Sequence, residues 1–229
     1  MGKENKMKHL EILPSILSFD FKNINTELKR MKDNGITYLH YDVMDGHFVS
    51  NISFGESLYK QLVPEGFKAN VHLMVTNPLP HAIKFYEMGA DSVLVHYEAI
   101  ENIASFVEDI KPFKKDKQIG IVINPETDVK EVLPHLYLFD IVMVMTVHPG
   151  ASGQAFLKEG LDKIKILRDF IDNNKLNTLI EVDGGINGIT GPLTVENGVD
   201  MLVSGSYLCK SEDLIKAKES ILGIKDINN

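Results

Sequence analysis

Residues 38 to 51, YLHYDVMDGHFVSN, concentrate side chains that bind metal ions or carry protons. Two histidines, two aspartates and a methionine lie within this short stretch, at the end of a predicted strand. Imidazole nitrogens and carboxylate oxygens are ligands of Zn²⁺, and both groups also act as general acids and bases. The stretch therefore predicts half of an active site, provided that matching residues end other strands.

The matching residues lie on two further predicted strands. Because side chains alternate along a strand, His40 and Asp42 share one face of the second strand. His72 has a similar place near the end of the third strand, and Asp183 ends the seventh strand. Two imidazoles and two carboxylates are an acceptable ligand set for Zn²⁺ or another first-row divalent ion, with room left for substrate oxygens.

Other residues near these strand ends allow more than one interpretation. Asp45 and His47 are rival ligands by spacing alone, but they follow the strand in a loop where Asp-Gly is a turn signal, which favours a structural role. Met44, Met74 and Met145 are interpreted either as core side chains or as the lining of a reacting centre.

The elements that position these residues alternate regularly along the chain. Apolar runs predict strands at residues 11–16, 36–44, 68–74, 91–97, 118–124, 140–147, 178–183 and 200–205. Amphipathic stretches lie between them; in residues 19–35, for example, Phe21, Ile24, Leu28 and Met31 have helical spacing and Gly35 is a stop signal. Eight strand-then-helix units predict an α/β fold, a TIM (β/α)8 barrel forming one domain over residues 1–229, with residues 1–10 as a polar N-terminal extension.

Glycine-rich stretches follow the last three strands. They are HPGASGQAF at residues 148–156, DGGIN at 183–187 and VSGSY at 203–207. In many barrels the loops after strands seven and eight bind phosphate through backbone N–H groups, which glycine lets the anion approach closely. The position of these stretches therefore predicts a phosphate site.

Composition restricts the partners. A formal net charge of −8 argues against non-specific nucleic-acid binding, which depends on Lys and Arg. The single cysteine, Cys209, excludes an intrachain disulfide and indicates a reducing compartment. Residues 1–13 lack the apolar run of a secretory signal, and no stretch reaches the roughly 18 apolar residues of a membrane span. We expect a cytoplasmic protein with no membrane partner.

Six segments together resemble the ribulose-phosphate 3-epimerase family in order and spacing. They are LPSILSFDF, HYDVMDGHFVSNISFG, VHLMVTNP, DIVMVMTVHPGASGQAF, IEVDGGIN and LVSGS, and the likeness runs from about residue 11 to residue 208. The resemblance implies a metal-dependent TIM barrel that interconverts D-ribulose 5-phosphate and D-xylulose 5-phosphate. It implies one divalent ion per subunit, with Zn²⁺ favoured over Fe²⁺, Mn²⁺ or Co²⁺, and no organic cofactor. We expect a homo-oligomer.

The resemblance also implies roles for individual residues. His40, Asp42, His72 and Asp183 match the metal ligands, and Asp42 and Asp183 match the catalytic acid/base pair. The substrate-binding set comprises Ser15, His40, His72, Met44, Met74, Met145, Gly150, Ala151, Ser152, Gly153, Gly184, Gly185, Gly205 and Ser206. The implied reaction removes the C3 proton on one face and returns a proton on the other, through a metal-stabilised enediolate.

One loop departs from the family pattern and leaves alternatives open. Where the family usually has Pro-Gly-Phe-Gly-Gly-Gln or Pro-Gly-Phe-Ala-Gly-Gln, residues 149–154 read PGASGQ, and Ser50 stands where proline is usual. A six-carbon substrate, as in the D-allulose-6-phosphate 3-epimerase group, is the runner-up, and a non-catalytic phosphosugar-binding protein is a further alternative. A barrel decarboxylase of the orotidine-phosphate type would need the lysine of a D-x-K-x-x-D pattern, where this chain has HYDVMD.

Overall fold

Short apolar strands build an eight-stranded parallel sheet in the computed structural model, which describes residues 10–62 and 66–224. The strands are β1 (Glu11–Pro14), β2 (Tyr38–Met44), β3 (Lys68–Met74), β4 (Ser92–His96), β5 (Gln118–Ile123), β6 (Ile141–Met145), β7 (Leu179–Asp183) and β8 (Met201–Ser204). Their order in the sheet is β1-β8-β7-β6-β5-β4-β3-β2. A parallel bridge between Ser15 and His40 joins the end of β1 to β2. The predicted TIM barrel is confirmed.

Helices cover the outside of the barrel. They are α1 (Ile24–Asp33), α2 (Glu56–Leu62), α3 (Pro78–Glu87), α4 (Ile103–Lys114), α5 (Glu159–Asn174), α6 (Thr190–Glu196), α7 (Ser206–Cys209) and α8 (Leu214–Leu222). Of the residues proposed to lie on the first helix, Leu28 and Met31 are buried, whereas Phe21 lies in a preceding 3₁₀ turn and is exposed. Gly35 follows the end of α1 with a φ of 72°, as a helix stop requires.

The fifth of the eight predicted strand-then-helix units differs from the others in the type of its helices. Two 3₁₀ helices, Val129–Glu131 and Leu133–Leu138, connect β5 to β6 in place of an α-helix. Asp128 caps the first of them, and Pro134 lies at the start of the second, where its missing N–H is tolerated. Pro134 lies in the middle of this connection, where it would interrupt the hydrogen bonding of a longer α-helix.

Alternation along the strands separates two cores. In β2, Leu39, Tyr41 and Val43 pack outward against the helices, in the large core between sheet and helices. The side chains between them point into the barrel, where β6 contributes Met143 and Met145 to a smaller apolar cluster. Polar residues on the inward faces of β2, β3 and β7 are therefore held in a dry, packed interior.

Two predictions concern the limits of the chain. Residues 1–9, nearly all of the predicted polar extension, lie outside the described residues. Within the described ranges, no helix is long and apolar enough to cross a membrane.

Candidate active site

Four ligand-type side chains converge at the C-terminal ends of β2, β3 and β7. One ligand atom from each of His40, Asp42, His72 and Asp183 lies within 4.8 Å of the others, and we call these four residues the ligand cluster. The His40 Nε2 and His72 Nδ1 atoms are both 3.3 Å from Asp42 Oδ1 and 3.7 Å from Asp183 Oδ2. The residues singled out by strand alternation thus form one group.

His40 is held by a buried polar network on the inward faces of β2, β3 and β7. Its Nδ1 atom lies 2.7 Å from Asn70 Oδ1, and the Asn70 amide donates to Glu181 Oε2 at 3.0 Å. All three side chains are completely buried. The opposite ring nitrogen, Nε2, is buried and has no hydrogen-bond partner among the described residues. A buried ring nitrogen that faces two carboxylates and has no hydrogen-bond partner is suited to bind a metal ion in place of a proton.

Asp42 and His72 are positioned by neighbours at the ends of β1 and β4. The Ser15 hydroxyl, at the end of β1, donates to Asp42 Oδ2 at 2.5 Å. His72 Nε2 lies 2.8 Å from Nε2 of His96, which ends β4, and His96 Nδ1 lies 3.3 Å from Glu98 Oε2. His72 therefore presents Nδ1 to the carboxylates while its other nitrogen is occupied.

The two aspartates differ sharply in acidity. Burial raises the pKa of Asp183 to about 7, and the nearby negative charge of Asp42 adds to the effect. Burial also opposes ionisation of Asp42, but His40 and His72 outweigh it and hold the pKa of Asp42 well below its usual range. Among the protein groups alone, an ionised carboxylate therefore lies beside one that holds a proton near neutral pH.

The two histidines differ in the same way. Burial lowers the pKa of His40, but Asp42, Glu181 and Asp183 reverse this and raise it well above the ordinary value. Burial lowers the pKa of His72 to about 3, despite the nearby carboxylate of Asp42. On binding, a divalent ion would displace the protons held by His40 and Asp183, and the positive charge of the ion would take the place of these protons.

The donor set of the ligand cluster fits a divalent metal ion. Two imidazole nitrogens and two carboxylate oxygens suit Zn²⁺ and its first-row neighbours, and two carboxylate charges offset the charge of the ion. The strands fix the backbone, while Asn70 and His96 fix the rings, so that little ordering remains to be done on binding.

A cavity of about 360 Å³ opens above the ligand cluster. Almost the whole predicted substrate-binding set lines it, namely Ser15, Met44, Met74, Met145, Gly150, Ala151, Ser152, Gly153, Gly184, Gly185, Gly205 and Ser206, together with Asp42 and Asp183. His40 and His72 do not line it and are fully buried. The two carboxylates are thus the part of the ligand cluster that faces the cavity.

Residues 150–153, which we call the rim loop, form the upper wall of the cavity. Ala151, Ser152 and Gly153 are exposed, and few bonds hold the loop. The Asn51 amide donates to the Gly150 carbonyl at 2.7 Å, and the Gln154 amide donates to the Ala151 carbonyl at 2.9 Å. The rim loop is therefore anchored to the loop after β2 by a single side-chain bond.

Glycine is required where the loop after β7 meets the loop after β6. Gly185 has a φ of 67°, and a Cβ there would lie 2.9 Å from the Phe156 backbone. Gly184 has a φ of 119°, and a Cβ there would lie 2.3 Å from Val147 Cγ2. The two glycines allow the backbone to pass close to the cavity without side chains.

The loop residues Asp45 and His47 have the structural role that turn chemistry favours. Asp45 accepts from the backbone N–H groups of His47, Phe48 and Thr76. Burial opposes ionisation, but these bonds hold the pKa of Asp45 at about 2. His47 is exposed, and neither residue belongs to the ligand cluster.

Sequence reasoning missed the residues that support the ligand cluster and part of the cavity wall. Asn70 and Glu181 lie two positions before His72 and Asp183, so strand alternation places them on the same inward faces. Further wall residues are Leu17, Val147, His148, Pro149, Gln154, Ile186, Asn187, Val203, Tyr207 and Lys210. Lys210 is the single Lys or Arg on this wall within the described chain, and no pattern in the sequence singles it out.

Comparisons with known proteins match nearly the whole chain. Residues 11–209 match the model of the ribulose-phosphate 3 epimerase family. The ribulose-phosphate 3-epimerase of Bacillus subtilis (strain 168) is 39% identical over 219 residues, covering 94% of this chain and 100% of that protein. The protein of that name from Chlamydia trachomatis serovar D is 36% identical over 226 residues, covering 96% of this chain and 95% of its own.

The solved structures support the fold. The structure of 3-hexulose-6-phosphate synthase from Salmonella typhimurium matches with a TM-score of 0.65 at 15% identity, covering 94% of this chain and 98% of that chain. At such low identity the likeness concerns the barrel alone.

Proposed function

We propose, from the premise that this chain belongs to the ribulose-phosphate 3-epimerase family, that it interconverts D-ribulose 5-phosphate and D-xylulose 5-phosphate. The relatives are isomerases that act on carbohydrate phosphates, and the chain is an epimerase of that kind. One observation supports this specific reaction most strongly. Asp42 and Asp183, from the separate strands β2 and β7, both reach the cavity and the same metal-ligand group.

The two carboxylates are suited to inversion at one carbon. Epimerisation at C3 needs a base on one face of the sugar and an acid on the other. Among the protein groups alone, the pKa of Asp183 is raised to about 7 and that of Asp42 is lowered, so that the two carboxyl groups differ in their tendency to hold a proton. In the reverse direction the two residues exchange roles.

The ligand cluster would contribute electrostatic stabilisation of the substrate's developing negative charge. A divalent ion bound there would supply Lewis-acid stabilisation of negative charge on the substrate oxygens. His40 and His72 contribute neutral nitrogen donors from beneath the cavity, and Asp42 and Asp183 would hold the ion while facing the substrate. Ser15 donates to Asp42 Oδ2, which keeps that carboxylate oriented.

The cavity wall is divided between an apolar and a polar side. Met44, Met74 and Met145 are nearly completely buried, and they exclude water from the region above the carboxylates. At the polar side, Gly185 and Ser206 leave the backbone accessible to a phosphate group, and Lys210 supplies a positive charge. A phosphosugar would bind with its phosphate on this polar side and its C3 above the carboxylates.

A six-carbon ketose phosphate is the second candidate substrate, and the small side chains of the rim loop support it. Ala151 and Ser152 are small and exposed where relatives of this family usually carry a phenylalanine and a small residue. The cavity therefore gains room at the rim loop. A non-catalytic binding protein is disfavoured because both proton-carrying aspartates are present.

The test is a comparison of two substrates on zinc-loaded protein. We expect kcat/KM for D-ribulose 5-phosphate to exceed that for D-allulose 6-phosphate, and chelation to abolish both activities until Zn²⁺ is restored. A protein stripped of metal that retains full activity would contradict the metal site. A preference for allulose 6-phosphate would contradict the substrate while leaving the chemistry intact.

A further inference from the structure

A third histidine lies against the ligand cluster without lining the cavity. His96 is completely buried, and its ring lies beside that of His72 with centroids 5.0 Å apart and planes 27° apart. The two Nε2 atoms are 2.8 Å apart, which is a hydrogen bond that needs one donor and one acceptor. The proton between these rings therefore belongs to either His72 or His96.

The far side of His96 is occupied by Glu98. The distance from His96 Nδ1 to Glu98 Oε2 is 3.3 Å. The other carboxylate oxygen, Oε1, accepts from the Asn124 backbone N–H at 2.9 Å and from the Thr127 hydroxyl. Burial would raise the pKa of Glu98, but these hydrogen bonds outweigh it and lower the pKa. Glu98 is thus a carboxylate, which only accepts hydrogen bonds.

These contacts determine the hydrogen positions one after another, from Glu98 through His96 to His72. Because Glu98 only accepts, neutral His96 carries its hydrogen on Nδ1 and leaves Nε2 as an acceptor. Neutral His72 then carries its hydrogen on Nε2 and leaves a lone pair on Nδ1. That Nδ1 atom is the one that lies 3.3 Å from Asp42 Oδ1, in the ligand cluster.

We propose that Glu98 and His96 are positioning residues that set the tautomer of His72 and thereby free its Nδ1 lone pair for a metal ion. The proposal rests on the metal site of the proposed function. The tautomer of His40 is set by one residue, because Asn70 Oδ1 accepts directly from its Nδ1 and leaves Nε2 for the metal. The two imidazoles thus use opposite nitrogens, each fixed from behind.

The arrangement around Glu98 makes an isosteric substitution informative. In Glu98→Gln, the amide oxygen takes the place of Oε1, because the Asn124 N–H needs an acceptor there. The amide NH₂ then faces His96 Nδ1 and donates to it. His96 must carry its hydrogen on Nε2, so that His72 accepts at Nε2 and is protonated at Nδ1. The lone pair required for metal binding is lost.

The experiment measures the dissociation constant for Zn²⁺ by competition with a chromophoric chelator. We expect Glu98→Gln to weaken zinc binding by about 10–100-fold, the range of losses seen when outer partners of metal ligands are changed. Glu98→Ala removes the acceptor without reversing its polarity and should weaken binding less. Glu126→Gln is the matched control, because Glu126 is an exposed glutamate paired with His148, away from the ligand cluster. It should bind zinc like the unaltered protein.

A double-variant comparison separates positioning from general damage. In a His96→Phe background the link between Glu98 and His72 is broken, so that adding Glu98→Gln should not weaken zinc binding further. A Glu98→Gln effect that persists in that background, or one no larger than that of Glu98→Ala, would overturn the proposal. If the unaltered protein binds no zinc, the metal site of the proposed function fails, and this proposal fails with it.

A measurement without substitutions tests the same point. Long-range ¹⁵N–¹H spectra of zinc-loaded protein distinguish protonated from unprotonated ring nitrogens in histidine. For His96 we expect a protonated Nδ1 and a bare Nε2, and for His72 a protonated Nε2 with Nδ1 bound to zinc. A His96 ring protonated at Nε2 would refute the proposal even in a protein that binds zinc well.

Discussion

The ligand cluster and the rim loop are two sides of one cavity with opposite physical character. The ligand cluster lies on strands, its histidines are fully buried, and hydrogen bonds hold each ring from behind. The rim loop lies on the surface, its central residues are exposed, and Asn51 anchors it by one bond. Groups that must be placed to within a fraction of an ångström come from the barrel, whereas groups that only cover the substrate come from a loop.

Changes in the ligand cluster should have the largest effect. Replacing Asp42 or Asp183 by Asn removes a proton carrier and a metal ligand, and we expect the rate of epimerisation to fall by at least about 10²–10⁴-fold. Metal content measured beside the rate separates the two losses. A variant that keeps its metal should still exchange the C3 proton of one epimer, because one face retains its base. Near-normal rates in both variants would contradict the two-base assignment.

The protons held in the ligand cluster should make metal binding dependent on pH. The raised pKa of Asp183, about 7, means that zinc must displace a proton from this carboxyl below that pH. His40, whose pKa is raised as well, adds a second proton. Apparent zinc affinity should therefore fall on acidification below pH 7, by about tenfold per pH unit for each proton displaced.

Proton release is measured directly by titration calorimetry of the metal-free protein in buffers of different ionisation enthalpy. We expect between one and two protons to be released per zinc ion near pH 6, and fewer above pH 8. Binding that releases no protons at pH 6 would show that the carboxyl group of Asp183 is already ionised.

Substitutions in the rim loop should have the smallest effect on activity, and we expect them to alter substrate binding only. Ala151→Phe restores most of an aromatic side chain's roughly 150–250 Å² of contact area above the cavity. We expect KM for ribulose 5-phosphate to fall several-fold while kcat changes little, with less tolerance of a six-carbon substrate. Ala151→Ser, which adds little surface, is the control. An unchanged KM and an unchanged preference between the sugars would show that this departure from the family pattern has no functional consequence.

The same contrast explains what the sequence predicted and what it did not. Alternation along β2, β3 and β7 was enough to group His40, Asp42, His72 and Asp183, because a strand leaves side chains only two directions. His96 was missed because nothing in its own strand marks it as polar support for His72, which belongs to a neighbouring strand.

Loop geometry was less accessible from the sequence, for a different reason. The bond from Asn51 to Gly150 and the contact between the His148 ring and the Glu126 carboxylate join loops that are distant along the chain. No local pattern reports such pairs, since they depend on how the barrel brings the loops together. The 3₁₀ type of the helices between β5 and β6 was also not accessible, because apolar spacing alone does not distinguish a short 3₁₀ segment from an α-helix.

The most direct test of the account follows hydrogen at C3 during a single turnover in D₂O. Zinc-loaded protein in excess over D-ribulose 5-phosphate should yield D-xylulose 5-phosphate that carries deuterium at C3, because one aspartate removes the proton and the other delivers a solvent-derived deuteron. NMR of the product measures the isotope at that carbon. Product that keeps the original hydrogen at C3 would contradict the two-base account, and binding without any exchange would contradict catalysis itself.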